Sequence, residues 1–276
     1  MVSKLAKEIS YKMSIITLTT DLGLKDYYVA GIKGHILSKL PNATIVDISH
    51  EIPPFNISVA AFCLKNCYLD FPAGSIHILG VSPEADEHTR HLIIKHKNHF
   101  FIGADNGMFS LLFDETPNEI YSLNIVSDEN KRTFPTKDVF VEAACHIGRG
   151  GKSELIGSKI NSIKERTNFQ PVIEDDVIRG MAMYIDSYGN ITTNITRSLI
   201  KLAGKGREFS IVFRRSDYNI NELKNNYSEV PEGEKLALFS TNNHLEVAIN
   251  KGNASKLFGI KLSDTIRIEF NNSKKY

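Results

Sequence analysis

The stretch that most constrains this chain runs from Ile15 to Leu37. A short apolar run, Ile15-Ile16-Thr17-Leu18, has the length and character of a buried strand. It ends in Thr19-Thr20-Asp21-Leu22-Gly23 and passes through Leu24-Lys25-Asp26-Tyr27 into a helical pattern, Tyr28-Val29-Ala30-Gly31-Ile32-Lys33-Gly34-His35-Ile36-Leu37. A strand that is apolar on both faces needs cover on both faces, and the helix that follows supplies part of it. Ligands of open α/β sheets bind at the carboxyl ends of the strands. Asp21 stands at such an end, beside a glycine and a helix start, and is the first candidate binding residue. A turn or helix-cap role explains its position as well.

The pattern then repeats. Residues 43–48 read as a second strand, followed by Ser49-His50-Glu51-Ile52-Pro53-Pro54-Phe55. The two prolines exclude helix there, which puts Phe55 on an extended loop at a strand end, near Asp21. A helix with Ala60, Ala61, Leu64 and Cys67 on one face is expected over 57–68. A third strand over 74–81 runs into a polar loop, Ser82 to Arg90. Strands at 92–95 and 99–103 pair across a Lys97-Asn98 turn. Gly103-Ala104-Asp105-Asn106-Gly107 reads as a turn, since glycine and asparagine tolerate positive φ. A last helix spans 139–147 and is closed by Gly148-Arg149-Gly150-Gly151. The alternation predicts an α/β N-terminal domain over residues 14–172 with a mostly parallel sheet.

From about residue 170 the character changes. Gln170-Pro171 and the acidic Ile173-Glu174-Asp175-Asp176 read as a linker. Short β-rich runs follow at 178–185, 208–213, 235–240, 245–249 and 265–270, separated by turn residues. They predict a smaller all-β barrel over residues 173–276.

Charge and composition narrow the partners. Lys and Arg total 33 against 32 Asp and Glu, a net charge of +1, so no nucleic acid or membrane-surface partner is expected. No apolar segment approaches the ~20 residues of a membrane span. Met1 to Glu8 lacks a long apolar core and a cleavage site, and a cytoplasmic location is expected. Cys63, Cys67 and Cys145 form neither a disulfide framework nor a zinc pattern; Cys63 and Cys67 are expected to share a buried helix face. His88 and His91 lie on a loop without a partner cluster, and no metal site is expected. No serine occupies a nucleophile elbow and no phosphate-cradling loop is present.

Two later stretches can carry binding. Asp186-Ser187-Tyr188-Gly189-Asn190 brings a carboxylate, a ring and an amide together within five residues. Those groups suit a nucleoside, although a decorated hairpin turn has the same appearance. In Leu238 to Asn250, Asn242-Asn243 marks a hairpin turn. Glu246 alternates with Leu245 and Val247, and a solvated outer strand face is the ordinary reading of it.

Five motifs occur in order: Thr19-Thr20-Asp21-Leu22-Gly23 with Asp26, Tyr28 and Gly34; Asp47-Ile48-Ser49-His50-Glu51-Ile52; Gly103 to Gly107; Asp186 to Asn190 with Thr193-Asn194; and Glu246-Val247-Ala248 with Asn250 and Gly252-Asn253-Ala254. Together they resemble the S-adenosylmethionine hydroxide adenosyltransferase family, relatives of the S-adenosylmethionine-dependent fluorinase and chlorinase. The resemblance covers nearly the whole chain after residue 14. It implies an α/β domain, a β-barrel domain, and a homotrimer whose nucleoside site lies at subunit interfaces. It implies no cofactor, with S-adenosylmethionine as substrate attacked by water at the ribose C5′ to give adenosine and methionine. Nucleoside binding without efficient catalysis and halogenation are the alternatives. By motif match, Asp21 would meet the ribose hydroxyls, Asp186 the methionine amine, Tyr188 the adenine and Asn190 its polar edge. Phe55, Thr241 and Glu246 would line the pocket.

The chain departs from the family in two places. The hydrolases share Asp-Pro-Gly-Val-Gly after the third strand, where this chain reads Ser82-Pro83-Glu84-Ala85-Asp86. They share Phe-His-Gly-Arg-Asp, where it reads Phe134-Pro135-Thr136-Lys137-Asp138. The halogenases place tyrosine and serine at Ser82 and Thr136, so neither subclass is matched. Ser82, Thr136 and Arg90, the last reached with a one-residue gap, are the candidates for orienting the water.

Overall fold

In the computed structural model the described residues are 14–86, 88–125, 133–167, 169–213 and 215–271. The chain divides into two compact units, residues 1–167 and 168–276.

The first unit is a seven-stranded sheet with helices. Its elements are β1 (Ile15–Thr20), α1 (Tyr28–Lys39), β2 (Thr44–Ser49), α2 (Ile57–Lys65), β3 (Ile76–Gly80), β4 (His91–His96), β5 (His99–Ala104), α3 (Met108–Leu112), β6 (Glu119–Leu123), α4 (Val141–Gly148) and β7 (Gly157–Ile160). The strand order is β2-β1-β3-β5-β4-β6-β7. β2, β1, β3 and β5 are parallel, whereas β4, β6 and β7 join antiparallel. The sheet is therefore mixed rather than mostly parallel. The reason is the two-residue turn at Lys97 and Asn98, whose φ values of +46° and +64° suit a tight hairpin. A link that short can only reverse the chain.

Ile16, Leu18, Ile78 and Ile102 from the sheet pack with Phe140 and Ala144 in one core. Cys145 is buried there, whereas Cys63 on α2 and Cys67 just past its end are only half-buried. The four parallel strands point their carboxyl ends to one edge of the sheet. Asp21, His50, Ser82 and the Asp105-Asn106 turn all follow directly on those ends.

The second unit holds β8 (Val172–Glu174), β9 (Val177–Ile185), β10 (Ile191–Thr196), α5 (Arg197–Gly204), β11 (Phe209–Phe213), β12 (Arg215–Ile220), β13 (Lys235–Phe239), β14 (His244–Ile249), α6 (Ala254–Phe258) and β15 (Thr265–Phe270). The order is β12-β11-β15-β9-β10-β14-β13, with β8 on β9, and every pairing is antiparallel. Among the described residues no ladder joins the end strands β12 and β13, so the sheet is a half-barrel rather than a closed barrel. One face carries Ile178, Ile191, Ile211 and Val247, and Ala254 and Phe258 of α6 seal it. The acidic stretch expected as a linker is a β-hairpin, β8 to β9, turning at Asp175 with φ +47°. Among the described residues no helix is long and apolar enough to cross a membrane.

Candidate functional site

The first unit brings several of the expected residues to the carboxyl edge. Asp21 follows β1, and its Oδ2 accepts a hydrogen bond from the Phe55 backbone N–H at 2.8 Å. Phe55 is held at φ +64° with its ring exposed, a conformation that costs a non-glycine residue energy. Gly23, at φ +65°, donates its N–H to His50 O at 2.8 Å. The loops after β1 and β2 are thus tied at two points.

Beneath them runs a chain of polar side chains. The Thr20 hydroxyl lies 2.7 Å from His50 Nδ1. His50 Nε2 is 3.1 Å from Asp47 Oδ1, at ion-pair distance, and Lys33 Nζ is 2.6 Å from Asp47 Oδ2. Burial alone would raise the Asp47 carboxyl; bonds from Lys33 and His50 outweigh it and hold the group below its ordinary value.

Ser82, Arg90 and Thr136 are anchored around the ends of β3 and β5. Ser82 stands at φ +44° two residues after β3. Asn106 Nδ2 donates to Val81 O at 3.1 Å and to Ser82 O at 2.9 Å. Arg90 Nη2 donates to Asp105 Oδ2 at 2.9 Å, and Asp105 Oδ1 accepts from Lys164 N at 2.7 Å. Asp105 is buried, so the pair is fixed from the carboxylate side. Thr136 opens a turn of π-helix that leads into α4, and it is buried against Gly80. A Cβ on Gly80 would fall 2.6 Å from the Thr136 side chain, so only glycine admits this approach. No hydrogen bond joins Ser82, Arg90 and Thr136 to one another among the described residues.

In the second unit, Asp186 organises the turn after β9. Its Oδ1 accepts from Tyr188 N at 2.9 Å and Asn190 N at 2.8 Å, and its Oδ2 from Asn190 Nδ2 at 2.9 Å. Gly189 sits at φ +89°, with its α-carbon tight against Asn253. The turn leaves the Tyr188 ring 76% exposed.

Glu246 overturns the solvated-face expectation, because its side of β14 is covered too. Leu236, Leu238 and Ala248 form a second small cluster there, and Glu246 is only 7% exposed. The Tyr227 hydroxyl donates to Glu246 Oε1 at 2.5 Å. Burial raises the Glu246 carboxyl above its ordinary value and the Asp186 charge adds to the rise, against the Tyr227 bond. Burial and the same bond raise the Tyr227 phenol. Thr241 lies exposed in the turn between β13 and β14, where Asn243 takes φ +62°.

His50, Asp105 and Asn106 fall within motifs that the sequence shows but that carry no assigned site role there, and Tyr227 falls within none. The first three do carry a signal, as polar residues placed directly at strand ends. Tyr227 carries none, since it comes from a short 3₁₀ turn, Tyr227–Glu229, far from Glu246 in sequence. The carboxylates of Asp21 and Asp186 suit hydroxyl and ammonium donors. Among the described residues no group of three or more His, Cys, Asp or Glu could hold a metal ion.

Residues 16–157 match the SAM hydroxide adenosyltransferase N-terminal domain, and residues 180–267 match the C-terminal domain of the same family. A Methanocaldococcus jannaschii protein named (R)-S-adenosyl-L-methionine hydrolase is 28% identical over 272 residues, covering 93% of this chain and 96% of that protein. An Actinopolyspora mzabensis fluorinase is 22% identical, covering 94% of this chain and 98% of that enzyme. A crystal structure of an uncharacterized conserved protein from Thermotoga maritima superposes with a TM-score of 0.82 at 28% identity, covering 92% of this chain and 99% of that one.

Proposed function

This chain belongs to the SAM hydroxide adenosyltransferase family, and we propose that it hydrolyses S-adenosyl-L-methionine to adenosine and L-methionine. The carrying observation is the match to both family domains, together with a hydrolase relative aligned over 93% of the chain. Water attacks the ribose C5′. An O–C5′ bond forms, the C5′–S bond breaks, and its electron pair stays on sulfur while the water loses a proton. The sulfonium leaves as a neutral thioether, so no general acid is needed. Catalysis then rests on holding the water in line with C5′–S and stripping its hydration.

Asp21 takes the ribose hydroxyls and Asp186 the methionine ammonium. Tyr188 stacks on the adenine, Asn190 meets its polar edge, and Phe55, Thr241 and Glu246 line the remainder. Ser82, Arg90 and Thr136 orient the water. Their anchoring by Asn106, Asp105 and Gly80 supports that assignment. The same proposal includes a cytoplasmic homotrimer with its sites at subunit interfaces. The exposed side chains of Tyr27 and Phe55 on the first unit and of Tyr188 on the second support an assembly that covers them.

The fluorinase relative gives a halogenase as second reading. Incubation with S-adenosylmethionine, with and without chloride, followed by chromatography, tests both. Equal amounts of adenosine and methionine are expected. A chlorinated nucleoside would favour the halogenase. No product, together with a thermal shift on adenosine, would leave a binding protein.

A further inference from the structure

The loop after β3 is held more firmly than a connecting loop requires. Three consecutive carbonyls are captured by side chains from elsewhere: Val81 O and Ser82 O by Asn106 Nδ2, at 3.1 and 2.9 Å, and Pro83 O by His91 Nε2, at 2.8 Å. The captured segment contains Ser82 at φ +44°, which an L-residue adopts only under constraint. Asn106 has a second bond of another kind, in which its Oδ1 accepts from Met108 N at 3.1 Å at the start of α3. α3 is itself seated by buried Met108, Phe109, Leu111 and Leu112. Asn106 therefore couples a rigid element to the strained residue. Next to it, Asp105 fixes Arg90.

From this geometry we infer that Asn106 is the positioning residue of the water-orienting loop, acting through Ser82. The inference rests on the hydrolase reading above. Two of the family's polar groups are replaced in this chain, and what remains must be set by backbone placement. The amide NH₂ performs that placement, whereas the amide oxygen only accepts from Met108 N at the start of α3. The two roles separate chemically. Asn106→Asp keeps the size and an oxygen for Met108 N but removes the donors and turns an anionic oxygen toward two carbonyls.

The test is steady-state hydrolysis of S-adenosylmethionine with melting curves on the same samples. Asn106→Asp is expected to lower kcat at least about 10-fold, in line with the cost of small misplacements at a reacting centre. KM should stay within about 3-fold, because the substrate-gripping carboxylates are untouched. His91→Phe keeps the edge-on packing against Phe140 but loses the Pro83 bond, and is expected to lower kcat by the same route to a smaller extent. Full kcat in both variants would overturn the inference. So would a parallel loss of kcat, KM and melting temperature, which would assign Asn106 to the fold alone. If the unaltered protein yields no adenosine, the functional reading fails first and this inference with it. That outcome is read from the unaltered protein and cannot be confused with an effect of the substitutions.

Discussion

The Phe55 N–H donates to Asp21 Oδ2 at 2.8 Å, so the carboxylate that follows β1 also holds the loop that follows β2. One oxygen is spent on the scaffold, and among the described residues the other accepts no hydrogen bond and can meet a ligand. Asp21→Ala should therefore both loosen Phe55 and remove an acceptor for ribose. Hydrogen bonds to a charged group contribute about 1.5–3 kcal/mol, so KM for S-adenosylmethionine should rise roughly 10- to 100-fold. Asp21→Asn keeps the size, and its loss in affinity should be smaller. Initial-rate measurements over substrate concentration check both.

Glu246 should show a trade between stability and binding. Its carboxyl is buried and raised by that burial and by Asp186. Because its folded value lies above the unfolded one, the folded state holds the proton more tightly. Stability from this group is complete below the unfolded carboxylate range and is lost as pH rises through the folded value. Glu246→Gln removes that loss and still accepts from Tyr227. The melting temperature at neutral pH should rise while affinity for S-adenosylmethionine falls. An unchanged or lowered melting temperature would contradict the burial argument.

Acid should act through the first unit. His77 is fully buried between the Thr17 hydroxyl, 2.7 Å from its Nδ1, and His99, 3.2 Å from its Nε2. Burial first, then the neighbouring His99, lower its pKa to about 3. Between the ordinary histidine value and about 3 the unfolded chain binds a proton that the folded chain refuses. Stability thus falls with falling pH in that window, by about 2 kcal/mol at pH 5 from this residue. His77→Gln should flatten the dependence, as read from urea midpoints between pH 7 and 5.

Gly80→Ala should damage both fold and site, since the new methyl would fall 2.6 Å from Thr136. Overpacking of this kind costs about 1–3 kcal/mol. Pairing it with Thr136→Ala, which removes both the Cγ2 and the Oγ1 that the new methyl would meet at 2.6 and 2.7 Å, should recover part of the melting temperature. Failure of the second change to help would place the clash elsewhere.

Much of this was legible from residue patterns. Apolar runs bounded by turn residues located β1, β3, β5, β9 and β15, and Lys97-Asn98 and Asn242-Asn243 announced their hairpins. The prolines before Phe55 placed it on the loop that Asp21 holds. Sheet direction was less legible, because strand runs look alike whether the next link is a crossover or a two-residue turn. The acidic segment before β9 passed for a linker because exposed hairpins are as polar as linkers. Glu246 misled for a related reason: alternation tells which residues share a face, not whether another segment, here Tyr227, comes back to cover it. Asp105 and Asn106 were visible as a turn, but their grip on Arg90 and Ser82 depends on pairings between β3, β4 and β5 that no local pattern encodes.

Hydrolysis requires that water, and no other nucleophile, break the C5′–S bond. The most direct measurement is mass spectrometry of the nucleoside formed from S-adenosylmethionine in heavy-oxygen water. Hydrolysis yields adenosine with one heavy oxygen at the 5′-hydroxyl, released in equal amount with methionine. Adenosine free of the label, a halogenated nucleoside, or no nucleoside at all would contradict it.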